Sequence, residues 1–319
     1  MKNDQPKKIL VLSRREERPD FDTADSMAQF LAAAGTDVQY DACFLEEVAF
    51  IYDGTTLSLR NMRNDLDIAS YDGIFLLGWF KWRKHEEVAL SVSLFARRHN
   101  IKIYNSEALY NRSRGKLSQY VQSVLQGVPV TPFVVVGDKK YTETIIEQSI
   151  LRYPLIVKSI TGSRGSRNYL VHDSKELAQA LTDARKKTVV VQTFVPNDGD
   201  YRVLVMGDAV RMVIHRRASG GSHLNNTSQG GQATIVDIST LPQAMLEDSV
   251  KIAHALHREI TGVDMIIHRE TGEYFFLEAN NMPQLSTGSF VIEKTQTLAA
   301  YFEQWVSDDA PARDIDTNI

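Results

Sequence analysis

The chain has 319 residues, of which 43% are hydrophobic and 24% charged, with a formal net charge of −4. That length suits two or three domains with a sizeable core, and that charge carries no basic footprint for a nucleic-acid partner. Cys43 is the single cysteine, which excludes an intramolecular disulfide and points to a reducing cytoplasm; no stretch approaches the roughly 20 apolar residues of a membrane span, and the first apolar run is too short for a signal peptide.

Residues 8–12 (KILVL) read as a buried strand, 22–34 as a helix closed by Gly35, and 36–40 as a second strand. A third strand follows at 71–80, a helix at 85–98 and a fourth strand at 101–105. Strands alternating with helices argue for an N-terminal α/β domain built on a parallel sheet. The pattern then changes. In SRGKLSQYVQSVLQG, Leu117, Val121, Val124 and Leu125 recur at helical spacing, and Gly127 and Pro129 end the helix. PFVVVG is a strand and YTETIIEQSILR a helix. PLIVKSI and YLVH flank TGSRGSRN as a hairpin with a long loop. Asp173 and Glu176 form a capping-box pattern before ELAQALTDARKK. VVVQTFV is a buried strand, and YRVLVMGDAVRMVIHRRA a hairpin turning at Gly207-Asp208. Residues 242–260 form an amphipathic helix, and VDMIIHRETGEYFFLEAN a final hairpin. This second part is α+β.

The final hairpin carries the clearest chemistry. With Glu270-Thr271-Gly272 as its loop, Arg269 faces Glu273, and the same register sets Asp264 opposite Glu278. Two facing carboxylates repel unless a divalent cation lies between them. Asn280 shares the face of Glu278, and three hard oxygen donors suit Mg²⁺, which keeps waters and takes phosphate oxygens as well. A one-residue slip in the turn would separate the carboxylates onto opposite faces. Lys158, between apolar neighbours, needs an anion or a path to solvent. The loop after it, with Gly162, Ser163 and Gly165, could bring backbone N–H groups to a phosphate, although it is not a Walker loop. Arg216 and Arg217 end a strand before a long Gly/Ser/Asn-rich loop, and their planar forks match carboxylate or phosphate. Each piece alone has an ordinary structural alternative: a capped strand end, a flexible hairpin, a solvated basic pair.

Taken in order, the helix with GKL, PLIVKS, the glycine loop, VVVQTFV, GDYR, HRRA, N-x-x-x-GG, GVD and LEANNMP resemble an ATP-grasp ligase of the RimK-like group, over about 105–305. The resemblance implies a pre-ATP-grasp α/β domain at 1–105, then a two-lobed α+β ATP-grasp fold. Its small lobe would span 106–190 and its large lobe 191–307, with a frayed tail at 308–319. It further implies that Lys116 and Lys158 contact ATP phosphates. Gln192, Thr193, Phe194 and Val195 would form the adenine hinge, where backbone groups read the base. Asp200 would hold the ribose, and Asn226 would lie near the phosphates. Asp264, Glu278 and Asn280 would bind two Mg²⁺ ions, with Mn²⁺ as an alternative. Arg202, Arg216 and Arg217 would hold an acyl phosphate and its oxyanion.

The departures are Thr193 where relatives commonly carry Glu, Arg167 in place of a further glycine, no arginine around Leu224-Asn225-Asn226, and Ser228-Gln229 for a His-Arg pair. The run Trp79-Phe80-Lys81-Trp82-Arg83 also differs from glutamate ligases. The implied reaction is ATP-dependent joining of a carboxylate to an amine through an acyl phosphate, releasing ADP and phosphate. The substrates would be small molecules, peptides or a protein tail, and the enzyme a homo-oligomer without nucleic-acid or membrane partners. A kinase of the same fold and an inactive nucleotide-binding module are the alternatives.

Overall fold

The computed structural model describes residues 6–18, 20–78, 83–110, 115–160, 168–184, 188–217 and 231–307. β1 (Lys8–Ser13) leads to α1 (Ala24–Ala33), which Thr23 caps by accepting from the Ser26 N–H. β2 follows at Gln39–Phe44, later than expected. Residues 41–70 received no elements beyond that strand from sequence. They also hold a small antiparallel sheet of β3 (Val48–Tyr52), β4 (Leu57–Asn61) and β5 (Leu66–Asp67). Its tight turn contains Asp53-Gly54, with Gly54 at φ 98°. β6 (Gly73–Leu77), α2 (Arg83–Arg98) and β7 (Lys102–Tyr104) complete a parallel sheet in the order β2-β1-β6-β7.

The second part begins with α3 (Lys116–Leu125). β8 (Phe133–Val135), α4 (Thr142–Gln148), β9 (Leu155–Ser159), β10 (Asn168–Val171), α5 (Ser174–Asp183) and β11 (Val189–Thr193) follow, and their strands pair antiparallel as β10-β9-β11-β8. Asp173 caps α5, accepting from the Glu176 N–H at 2.8 Å, but Glu176 reaches back to the His172 N–H rather than closing the box on Asp173. A larger antiparallel sheet, in the order β14-β13-β12-β15-β16, uses β12 (Asp200–Met206), β13 (Ala209–Arg217), β14 (Gln232–Val236), β15 (Ile260–Ile267) and β16 (Tyr274–Asn280). β14 lies at the end of the segment read as loop. α6 (Gln243–Ala255) and α7 (Val291–Ser307) complete the chain, and α7 had no sequence assignment.

Residue alternation explains how the larger sheet is covered. Val203, Val205, Val213, Val263 and Met265 face α6, together with Tyr120 of α3. Leu204, Met206, Met212, Ile214 and Ile260 face the other way. They join one core with Leu298, Ala299 and Phe302 of α7 and with Ile9, Val11, Phe75 and Tyr104 of the parallel sheet. α7 is thus packed between two sheets. Gly207, at φ 64°, leaves room for the Tyr301 hydroxyl, which a Cβ there would approach to 2.7 Å. Among the described residues no helix is long and apolar enough to cross a membrane.

Candidate active site

The face of the larger sheet that meets α7 changes chemistry along its length. Toward one end it is Leu204, Met206, Met212, Ile214 and Ile260; toward the other it is Asp200, Arg202, Arg216, Asp264 and Glu278. The ladder brings the charges together. Arg216 stands opposite Asp200, Arg202 opposite Asp264, and Asp264 opposite Glu278.

The last of these pairings arises differently from the sequence expectation. His268, not Arg269, faces Glu273, since the His268 N–H donates to the Glu273 carbonyl at 2.7 Å. The turn is therefore one residue off, and Met265 pairs with Phe276. A bulge between Asp264/Met265 and Phe276/Glu278 absorbs Leu277 and returns Glu278 to the face of Asp264. Without that extra residue Glu278 would project from the opposite face. Arg269, freed from the ladder, binds Asp198 at 2.6 Å.

Asp264 is 4% exposed. Arg202 grips it with two hydrogen bonds, Nε to Oδ1 at 2.9 Å and Nη2 to Oδ2 at 3.0 Å. Arg216 Nη2 lies 3.0 Å from Asp264 Oδ1 and also binds both oxygens of Asp200, at 2.6 and 3.0 Å. Burial alone would raise the Asp264 carboxyl, but the Arg202 and Arg216 guanidiniums overcome it and hold the group low. Burial raises Asp200, which shares Arg216 with Asp264. The Asn280 carboxamide donates to Asp264 Oδ2 at 3.1 Å.

Lys116, the first residue of α3, makes an ion pair with Glu278. Burial would raise Glu278, and Lys116 outweighs it, so its carboxyl is held low. On β9, the Lys158 ammonium lies 5.3 Å from the centre of the Tyr120 ring. Burial pushes Lys158 down to about 7, reinforced by the neighbouring Lys116. Lys116, Lys158, Arg202, Arg216, Asp264, Glu278 and Asn280 are therefore gathered in one place.

The other expected site residues have the following surroundings. Arg217 is exposed and projects from the opposite face to Arg216, as adjacent strand residues must. Both Asp200 oxygens accept from Arg216, so Asp200 braces that arginine. At the expected adenine hinge, the Thr193 and Phe194 N–H groups donate to the Pro132 and Pro154 carbonyls at 3.0 and 3.2 Å. The Gln192 side chain is buried, accepting from the Tyr120 hydroxyl at 3.2 Å and donating to Thr131 Oγ1 at 2.9 Å. Val195 is buried, and its carbonyl accepts from Asn197 Nδ2 at 2.8 Å. Gly162, Ser163, Gly165, Arg167, Asn226, the segment 224–229 and Trp79 to Trp82 lie outside the described residues.

The sequence reading missed the support behind Arg202. Its Nη1 reaches the Pro283 carbonyl and Gln284 Oε1, both at 3.4 Å. The loop bearing these groups is held by Asp22, which accepts from the Leu285 and Ser286 N–H groups at 2.8 and 3.0 Å. Lys294, 3% exposed, donates to the Gln284 and Thr287 carbonyls. A signal for Lys294 existed: it shares the apolar stripe of α7 with Leu298, Phe302 and Trp305 at helical spacing.

The donor chemistry fits a hard cation. Two carboxylates and a carboxamide lie on one sheet face, and phosphate oxygens and waters could complete a Mg²⁺ shell. Among the described residues no group of three or more His, Cys, Asp or Glu gathers to hold a metal.

A family model described as the RimK-like ATP-grasp domain matches residues 113–301. The chain belongs to that family. Among its relatives, a probable alpha-L-glutamate ligase of Sodalis glossinidius is 32% identical over 188 residues, covering 57% of this chain and 60% of the relative. A ribosomal protein bS6–L-glutamate ligase of Shigella boydii is 27% identical over 209 residues, covering 63% of this chain and 66% of the relative. The match thus spans somewhat less than two thirds of those relatives. A solved structure of the ATP-grasp ligase PsnB, complexed with a phosphomimetic variant of its minimal precursor, Mg and ADP, superposes with a TM-score of 0.68 at 16% identity. It covers 94% of this chain and 99% of that one, which establishes the ATP-grasp fold.

Proposed function

We propose that this protein is an ATP- and Mg²⁺-dependent carboxylate–amine ligase that activates its acid as an acyl phosphate and releases ADP and phosphate. The observation that carries the reading is the charged end of the larger sheet, where Lys116, Lys158, Arg202 and Arg216 surround Asp264, Glu278 and Asn280. Mg²⁺, when bound to those three residues, would neutralise phosphate charge during transfer. Lys116 and Lys158 are placed to meet the phosphates as point charges. Arg202 and Arg216 present planar forks beside Asp264, suited to orient the acid and to stabilise the oxyanion formed when the amine attacks. Asp200 holds Arg216 from behind.

The activities of the related glutamate ligases suggest glutamate as one substrate and a peptide or ribosomal-protein tail as the other. Two metal ions, a homo-oligomer, cytoplasmic placement and the lobe boundaries at 105, 190 and 307 belong to the same reading. The test is incubation with ATP, Mg²⁺ and a panel of amino acids and acidic peptides, with nucleotide and condensed product followed together. ADP, phosphate and an amide are expected. AMP, or a phosphorylated product without an amide, would contradict the ligase.

A further inference from the structure

β16 is the edge strand of the larger sheet, and its outward-facing backbone groups need partners from elsewhere. At Ala279, between Glu278 and Asn280, both groups are met by buried side chains. The Ala279 N–H donates to Gln119 Oε1 at 2.8 Å, and Arg258 Nη1 donates to the Ala279 carbonyl. Gln119 is 4% exposed and Arg258 2% exposed. Arg258 is itself fixed, its Nε donating to Glu107 Oε2 at 2.8 Å, while the other Glu107 oxygen accepts from Asn281 Nδ2. Glu107 follows directly on two further anchors. Ser106 donates its backbone N–H to Glu259 at 2.8 Å, and Asn105 accepts from the Ile260 N–H at 3.0 Å. The segment leaving the parallel sheet is thus bolted to the start of β15 and to the end of β16, at the residue between Glu278 and Asn280.

We infer that Arg258, locked by Glu107 and opposed by Gln119, is a positioning residue that sets the spacing of Glu278 and Asn280 through the two peptide groups of Ala279, and so sets metal affinity. The inference rests on the metal site proposed above. Glu278 and Asn280 flank one residue whose Cα is clamped on both sides. A shift of that residue moves both ligand side chains, whereas Asp264, on β15, is held separately by Arg202. Groups that orient ligands from behind commonly change metal affinity as much as a ligand's own surroundings do.

The test is a Mn²⁺ titration followed by electron paramagnetic resonance in saturating ADP, on the full chain and on Arg258→Lys, Gln119→Met and the pair Glu107→Leu/Arg258→Met. The pair removes the buried charges together, so the fold loses less than with either alone, yet the Ala279 carbonyl still loses its donor. Each variant is expected to weaken Mn²⁺ binding by about 10-fold or more, with ADP affinity measured without metal changed by less than about 2-fold. Wild-type protein that binds no Mn²⁺ with ADP would remove the metal site itself. Wild-type binding with unchanged Mn²⁺ affinity in Gln119→Met and in the double variant would overturn this inference and leave the metal site standing. If Arg258→Lys does not fold, Gln119→Met decides, because it acts on the same residue through its other peptide group.

Discussion

The two ends of one face of the larger sheet use the same strands for opposite purposes. At the apolar end, Leu204, Met206, Met212, Ile214 and Ile260 bury against α7, and their contribution scales with area removed from water. At the charged end, two residues further along β12, Arg202 is held by Asp264, Gln284 and the Pro283 carbonyl. Stability there comes from completeness of pairing, because an isolated buried charge costs more than a pair returns. The difference teaches that the fold and the site are separable along a single strand. Substitutions at the apolar end should act on folding alone, and those at the charged end on chemistry and, where they break a buried ion pair, on stability as well.

That separation can be broken or sharpened by experiment. The largest stability effect is expected for Phe302→Ala, at the fully buried centre of the apolar end. It should cost about 4 kcal/mol in urea denaturation, while nucleotide affinity of the folded protein stays near wild type. Arg216→Met leaves Asp200 and Asp264 short of a shared partner and should cost about 3 kcal/mol. Adding Asp200→Leu should recover most of that in the same denaturation assay. Failure to recover would mean that Arg216 stabilises through packing.

Lys158 provides a pH signature. Its pKa of about 7 lies well below the ordinary 10.5, for burial and Lys116 both favour the neutral amine. Below pH 7 the ammonium is already charged and anion binding takes up no proton. Above pH 7 a bound phosphate must recapture one, so ADP affinity should decline as pH rises through that range. Calorimetry at pH 8 in two buffers of different ionisation enthalpy should show proton uptake that Lys158→Arg abolishes. The smallest effect is expected far from both ends. Asp173→Ala removes the cap of α5 and should cost about 1 kcal/mol in thermal or urea unfolding, without altering nucleotide binding.

Much of this contrast was legible in the sequence. Hydrophobic alternation gave most strands, and Asp264, Glu278 and Asn280 could be placed on one face from hairpin counting. The counting reached the right pair through a wrong turn, because the Leu277 bulge compensates a slip that spacing alone does not reveal. Arg217 was grouped with Arg216 by adjacency, although strand alternation separates them. The Asp53-Gly54 turn between β3 and β4 was a readable signal that went unused. The roles of Arg258 and Glu107 had no local signal at all, since 151 positions separate the two residues that meet. The bonds from the Thr193 and Phe194 N–H groups to the Pro132 and Pro154 carbonyls likewise join residues distant in sequence, which no periodicity reports.

The most direct measurement is calorimetric titration of ATP with and without Mg²⁺, on wild type and on Glu278→Gln. Binding that Mg²⁺ strengthens is expected in wild type, with that gain lost in Glu278→Gln while the protein remains folded. ATP affinity that is the same with and without Mg²⁺, and the same in the variant, would contradict a metal–nucleotide site at the charged end of the sheet.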